Sequence, residues 1–147
     1  DASRIGVGAQ GVGISQAALD EATSHARERK LFGSPLGAKQ AIQWMLADMA
    51  TQIDAARFLV YRAACLKDQG KGHNQEASMA KLYASELAAE VTRKAVQIFG
   101  GYGCTKAYKV ERLYRDAKLT EIFEGTSEMQ RIVIARKVLG ADLVRTH

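Results

Sequence analysis

Apolar residues recur at spacings of three and four along most of the chain, with no period-two run that would mark a half-buried strand. Residues 4–30 read as a first helix, although Gly6, Gly8, Gly11 and Gly13 each cost about 1 kcal/mol there relative to alanine. Glycines on a helix face admit a neighbouring backbone or a flat ligand, and close helix packing is the simpler of these readings. Residues 31–36, with Gly33 and the only proline, Pro35, read as a turn. Ile42, Met45, Leu46, Met49, Ile53, Ala56, Leu59, Val60, Ala63 and Leu66 then form one stripe on a second helix. At roughly 30 residues it would be about 45 Å long.

A glycine-containing loop at 70–74 precedes a third helix marked by Ala77, Ala80, Ala84, Leu87, Ala88, Val91, Ala95 and Ile98, whose alanines imply close contacts. Gly100, Gly101 and Gly103 end it, a short basic helix is expected over 107–117, and a last helix over 127–144 begins with Ser127 and Gln130 as a capping box. The expected fold is all-α: an antiparallel four-helix bundle with an additional short helix.

The 147 residues suffice for one core, and 47% hydrophobic with 25% charged residues suits a globular chain. A net charge of +5 permits an anionic partner without choosing one. Cys65 and Cys104 make no CxxC pair and accompany three scattered histidines, so neither a disulfide framework nor a metal site is expected. There is no apolar run of membrane-spanning length and no signal-peptide pattern, so no membrane partner is expected. The start at Asp1 without a methionine suggests a piece of a longer protein.

Three clusters could carry chemistry. Glu124 stands before Gly125 and a helix start, where a carboxylate complements the helix dipole and a base could also sit. Arg29 and Lys30, beside Phe32 and Gly33, can satisfy a helix C-terminus or fork onto a diphosphate with the aromatic ring against a flat ligand. Gln97, Ile98, Phe99, Gly100 and Gly101 end a helix where glycine allows a turn or close approach of a ligand. Lys106, Lys109, Arg112, Arg115 and Lys118 make a basic stripe of the kind that is usually a solvated face.

Together these clusters resemble the acyl-CoA dehydrogenase family, whose C-terminal domain runs from an arginine-lysine-x-phenylalanine-glycine segment through a QIFGG-like one to EGTS-x-x-Q-R. They stand here as Arg29 to Gly33, Gln97 to Gly101 and Glu124 to Arg131, and DASRI at Asp1 to Ile5 is a fourth match. The similarity covers essentially the whole chain, and its wording is nearest to the short-chain or butyryl enzymes.

The resemblance implies FAD-dependent α,β-dehydrogenation of an acyl-CoA thioester to the trans-2-enoyl-CoA, with Glu124 as the base and its own N–H helping to stabilise enolate charge on the thioester carbonyl. A carboxylate buried against an apolar acyl chain is expected to gain proton affinity, opposed by the adjacent helix N-terminus. Some family members carry the base near the start of this domain, where this chain has Ser3.

By the same comparison Asp1, Ala2, Ser3, Arg4, Gly125 and Arg136 match acyl-CoA contacts. Arg29, Phe32 and Gln40 match flavin contacts, Gln97, Ile98, Phe99, Gly100 and Gly101 the stretch that meets FAD across a subunit interface, and Thr126, Ser127 and Glu128 contacts near its adenosine part. Such sharing implies a homo-oligomer, dimer or tetramer, and the family reoxidises its flavin with an electron-transferring flavoprotein. The family's compartment is the cytoplasm in bacteria and the mitochondrial matrix in eukaryotes. Its N-terminal helical and middle β domains have no counterpart in this sequence, so the isolated chain is expected to be inactive. Phe123 replaces a common tyrosine, and Cys104 follows GGYG where an aromatic residue is common. An acyl-CoA oxidase or other flavoenzyme on this scaffold is the nearest alternative; a basic helical module for nucleic acid is another, but no helix-turn-helix, aromatic platform or zinc signature accompanies the charge.

Overall fold

The structure, a computed structural model, describes residues 2–140. Five helices follow in order: α1 (Ala2–Glu28), α2 (Gln40–Asp68), α3 (Asn74–Phe99), α4 (Lys109–Thr120) and α5 (Ser127–Leu139). Short 3-10 turns lie at Leu36–Ala38 and Gly100–Cys104. This is the expected all-α bundle with a short additional helix, and α3 is its centre, packed against each of the other four helices. The expectations for Asp1 and for the last helix beyond residue 140 lie outside the described residues.

Small residues make α3 central. Ala77, Ala80, Ala84, Ala88 and Ala95 are all fully buried, so neighbouring helices approach its backbone closely. On α1, a Cβ added to Gly11 would sit 2.7 Å from the Ala84 carbonyl oxygen, and one on Gly8 would sit 3.1 Å from the Val60 side chain and 3.4 Å from Ala80. The packing reading therefore holds for those two glycines. It fails for Gly6 and Gly13, where an added Cβ meets nothing within 4 Å. Between α1, α2 and α3, Met49, Ile53 and Val91 fill the interior with Ala18, Ala22 and Ala56. The outer face of α2 carries Trp44, Phe58 and Tyr61 exposed.

Several boundaries differ from those expected, and the last helix, expected to continue to 144, stops at Leu139 with Gly140 at φ +86°. The first helix ends at Glu28, because Lys30–Leu31 (β1) pairs antiparallel with Ser34–Pro35 (β2) in a two-residue hairpin. Strands of two residues are too short to show a period, so the turn was visible in the sequence and its pairing was not. The short basic helix runs over Lys109–Thr120 because its buried positions, Val110, Leu113, Ala117 and Thr120, continue past the expected end. Its basic stripe is a solvated face: Lys109 pairs with Glu21, Arg115 with Glu111 and Lys118 with Glu121. No described helix is long and apolar enough to cross a membrane.

Candidate active site

The turn between α4 and α5 forces an unusual backbone on an acidic residue. Glu124 has φ +55° and Gly125 has φ +91°. For a side chain larger than glycine that region costs roughly 1–2 kcal/mol, so its surroundings must hold it there. The Ser127 N–H bonds the Glu121 carbonyl at 3.0 Å and closes the turn, while the Phe123 N–H bonds Leu119. The Glu124 N–H takes no part in the turn's backbone hydrogen bonds among the described residues.

The cap of α5 lies one residue earlier than expected. Thr126, with extended ψ 164°, is the N-cap, and its hydroxyl accepts from the Met129 N–H at 3.4 Å. Ser127 is already inside the helix, its hydroxyl buried without a partner, so the expected capping box does not form. The carboxylate that complements this helix N-terminus is Glu128. It is held below the usual carboxylate range by its own backbone N–H first, then by the Thr126 hydroxyl, Arg131 and Lys118, with slight burial opposing.

Under the turn lies a lysine. Lys81, on α3, has 0% exposure, and its Nζ donates to the Gly125 carbonyl at 2.7 Å. Gln130 Nε2 donates to the same oxygen at 2.9 Å and reaches the Glu124 carbonyl at 3.5 Å. Burial pushes the Lys81 ammonium below the usual lysine range, opposed by the carboxylates of Glu121, Glu128 and Glu86. Glu124 itself is exposed within this chain. Next to it, Phe123 borders an apolar groove between α1 and α4 with Gln10, Ile14, Asp116 and Leu119.

The residues matched to substrate sit near this end. Ala2 and Ser3 are exposed on the first turn of α1. Arg4 Nη1 donates to Asn74 Oδ1 at 2.8 Å and to the Ser78 hydroxyl at 2.6 Å, which ties α1 to the start of α3. Arg136, on α5, lines a second groove that includes Asn74. Arg4 and Arg136 thus flank the same asparagine.

A separate group gathers at the far ends of α1 and α3. Arg29, Gln97, Ile98, Phe99, Gly100 and Gly101 border one cleft of about 310 Å³. His25 stacks on Phe99 with centroids 4.0 Å apart, and the Arg29 guanidinium lies 5.3 Å from the centroid of Tyr102. Gly100 ends α3 with φ +64° and ψ −144°, a conformation open essentially to glycine alone. The His25 imidazole is pushed below its ordinary 6.5 by burial first and then by Arg29, with Glu28 opposing. Phe32 is 91% exposed at the hairpin tip, outside the cleft lining, and Gln40 opens α2.

The predicted cofactor residues therefore fall into two sets. From Lys81 to Gln97 along α3 is about 24 Å, so Thr126, Ser127 and Glu128 are far from Arg29 and the QIFGG segment. Sequence reasoning missed Lys81 and misassigned Gln130. The signal for Lys81 was its place four residues after Ala77 and three before Ala84, in phase with the buried face of α3. Among the described residues no three His, Cys, Asp or Glu side chains gather as metal ligands.

Comparison with known proteins agrees with this architecture. Residues 1–139 match the family profile described as acyl-CoA dehydrogenase, C-terminal domain. Over 139 residues the chain is 55% identical to a cyclohexane-1-carbonyl-CoA dehydrogenase of Geobacter metallireducens, covering 95% of this chain and 37% of that one. It is 54% identical to the caffeyl-CoA reductase-Etf complex subunit CarC of Acetobacterium woodii, over 95% of this chain and 37% of the other. The butyryl-CoA dehydrogenase structure from Megasphaera elsdenii superposes with a TM-score of 0.92 at 51% identity, covering 92% of this chain and 36% of that one. The chain thus spans little more than a third of the length of these relatives. A helical bundle centred on an alanine-faced α3, with the EGTS turn at one end and the QIFGG cleft at the other, belongs to the acyl-CoA dehydrogenase family and corresponds to its C-terminal domain.

Proposed function

We propose that the protein carrying this chain is an FAD-dependent acyl-CoA dehydrogenase in which Glu124 is the base. The observation that carries this reading is an exposed carboxylate held at φ +55° by bonds to the next residue's carbonyl. Strain of that kind persists where the surroundings over-determine it, and it clusters at sites of chemistry.

The reaction asks for removal of an α-proton beside a thioester while a hydride departs from the β-carbon. Glu124 accepts the proton, and its N–H, unused within the turn, is available to donate to the thioester oxygen as enolate charge grows. FAD, when bound, supplies the acceptor for the hydride. Phe123 and the groove it shares with Ile14 and Leu119 offer an apolar lining to the acyl chain and help exclude water from the base. Arg4, Arg136 and Gly125 would hold the acyl-CoA, with Ala2 and Ser3 at the same edge; Asp1 lies outside the described residues.

The residues at the other end suit the cofactor. Arg29 supplies a planar cation, and an added Cβ on Gly100 or Gly101 meets nothing within 4 Å, so their backbone is open to close approach by a diphosphate. The length of α3 between the two sets supports one chain serving two flavin sites, its own through residues 126–128 and a partner's through 97–101. Trp44, Phe58 and Tyr61, exposed on α2, are the kind of surface such a homo-oligomer covers. The relative from A. woodii is a subunit of an Etf complex, which supports an electron-transferring flavoprotein as the redox partner.

Substitution of Glu124 by glutamine in the FAD-loaded protein tests the reading. Bleaching of the flavin band by butyryl-CoA should slow about 100- to 10,000-fold while FAD content and acyl-CoA binding persist. A rate close to that of the unsubstituted protein would remove Glu124 from the mechanism.

A further inference from the structure

A lysine without solvent exposure is costly, and α3 could have filled the same space with another apolar residue. Replacing buried charge by a well-packed hydrophobic side chain is often neutral or stabilising, so global stability is a poor reason for Lys81 to be there. Its ammonium makes a 2.7 Å bond to the Gly125 carbonyl, directly after Glu124. That carbonyl already has a second donor in Gln130 Nε2 at 2.9 Å and would not be orphaned without the lysine.

Two donors on one oxygen, approaching from α3 and from α5, fix the peptide plane that joins Gly125 to Thr126. A Cβ added at Gly125 would lie 2.7 Å from Gln130 Nε2, so the close approach of that amide needs glycine at this position. With that peptide plane fixed on one side and Gln130 Nε2 3.5 Å from the Glu124 carbonyl on the other, the backbone at Glu124, at φ +55°, is held in place, and with it the root of its side chain and its N–H. The carboxylates of Glu121, Glu128 and Glu86 face the ammonium from the end of α4, from α5 and from α3 itself.

We infer that Lys81 is a positioning residue for catalysis, which acts through the Gly125 carbonyl to aim the Glu124 carboxylate and N–H at the substrate. The inference rests on the proposed role of Glu124. Misplacement of a catalytic group by about 1 Å can lower a rate by about 100-fold, and a pivot one residue from the base is where such an error enters most directly.

The test is Lys81→Met in the FAD-loaded protein, with butyryl-CoA as substrate. Methionine keeps nearly the same length and volume and removes the donor. Expected are a kcat per bound flavin about 10- to 100-fold lower, a KM within about twofold, unchanged FAD content, and an equal slowing of α-hydrogen exchange into deuterated solvent. Lys81→Gln, whose amide falls one atom short of the Gly125 carbonyl, is read in the same way and carries the test if the methionine variant does not fold. A kcat per flavin at the unsubstituted level in a folded variant overturns the inference, whatever happens to the melting temperature, because a lysine that only supports the fold would lower stability or flavin content and leave that quantity alone. Glu124→Gln separates the two ideas. If it is inactive while Lys81→Met is normal, only the role of Lys81 falls; if it is active, the role of Glu124 falls and this one with it.

Discussion

The turn at Phe32 and Gly33 and the turn at Glu124 and Gly125 share a backbone. In each, a non-glycine residue at φ near +50° precedes a glycine with positive φ. They differ in what holds them. The first is the tip of a hairpin closed by the pairing of Lys30 with Pro35 and Leu31 with Ser34, and two positive φ values suit the twist of such a hairpin. The second has no strands beside it and is gripped from below by Lys81 and Gln130. The first turn needs only its own strands; the second borrows its geometry from α3 and α5, so perturbations inside the bundle reach Glu124 and leave Phe32 alone.

The widest gap between the two should follow Gly125→Ala set against Gly33→Ala. At Gly125 the added Cβ meets Gln130 Nε2 at 2.7 Å on top of the strained φ, and a loss of about 2–4 kcal/mol with collapse of activity is expected. At Gly33 nothing lies within 4 Å, so only the backbone strain of about 1 kcal/mol should register in thermal unfolding. Equal losses at the two sites would break the comparison.

A smaller effect sharpens it on the Glu124 side. Thr126→Ala removes the hydroxyl that accepts from Met129, and about 1 kcal/mol of stability should go with it, measured by denaturant unfolding. Gly125 keeps both of its donors in that variant, so kcat per bound flavin should change far less than in Lys81→Met, while loss of the Thr126 hydroxyl is read separately as FAD content.

The smallest effect belongs to the cleft beside the hairpin. His25 binds its proton less tightly in the folded chain than its ordinary 6.5, chiefly through burial and then through Arg29. The unfolded chain therefore takes up the proton first as pH falls below 6.5 toward the folded value, and the folded state loses stability across that window. Above 6.5 both states are neutral there and the contribution is flat. An NMR titration of the His25 ring should give a midpoint below 6.5, and a midpoint above it would mean that the Phe99 stack and Arg29 do not shape this corner as described.

The helices could be read without coordinates, because burial on one face of a helix writes a three-to-four spacing that needs no partner to be seen. Met49, Ile53, Ala56, Val60 and Ala63 mark the inward face of α2 without any knowledge of what they touch. The motifs around Arg29, Gln97 and Glu124 were legible too, by resemblance, since local strings survive without coordinates. The rest depended on contacts between segments far apart in the chain. Gly8 and Gly11 differ from Gly6 and Gly13 only in which face of α1 meets α3. Thr126 became the cap in place of Ser127 because the turn is closed from Glu121, and Lys81 is buried because its helical phase overrode its charge. Which carbonyl a buried ammonium reaches depends on two segments distant in the chain meeting in space, and no periodicity along one strand of sequence encodes that meeting.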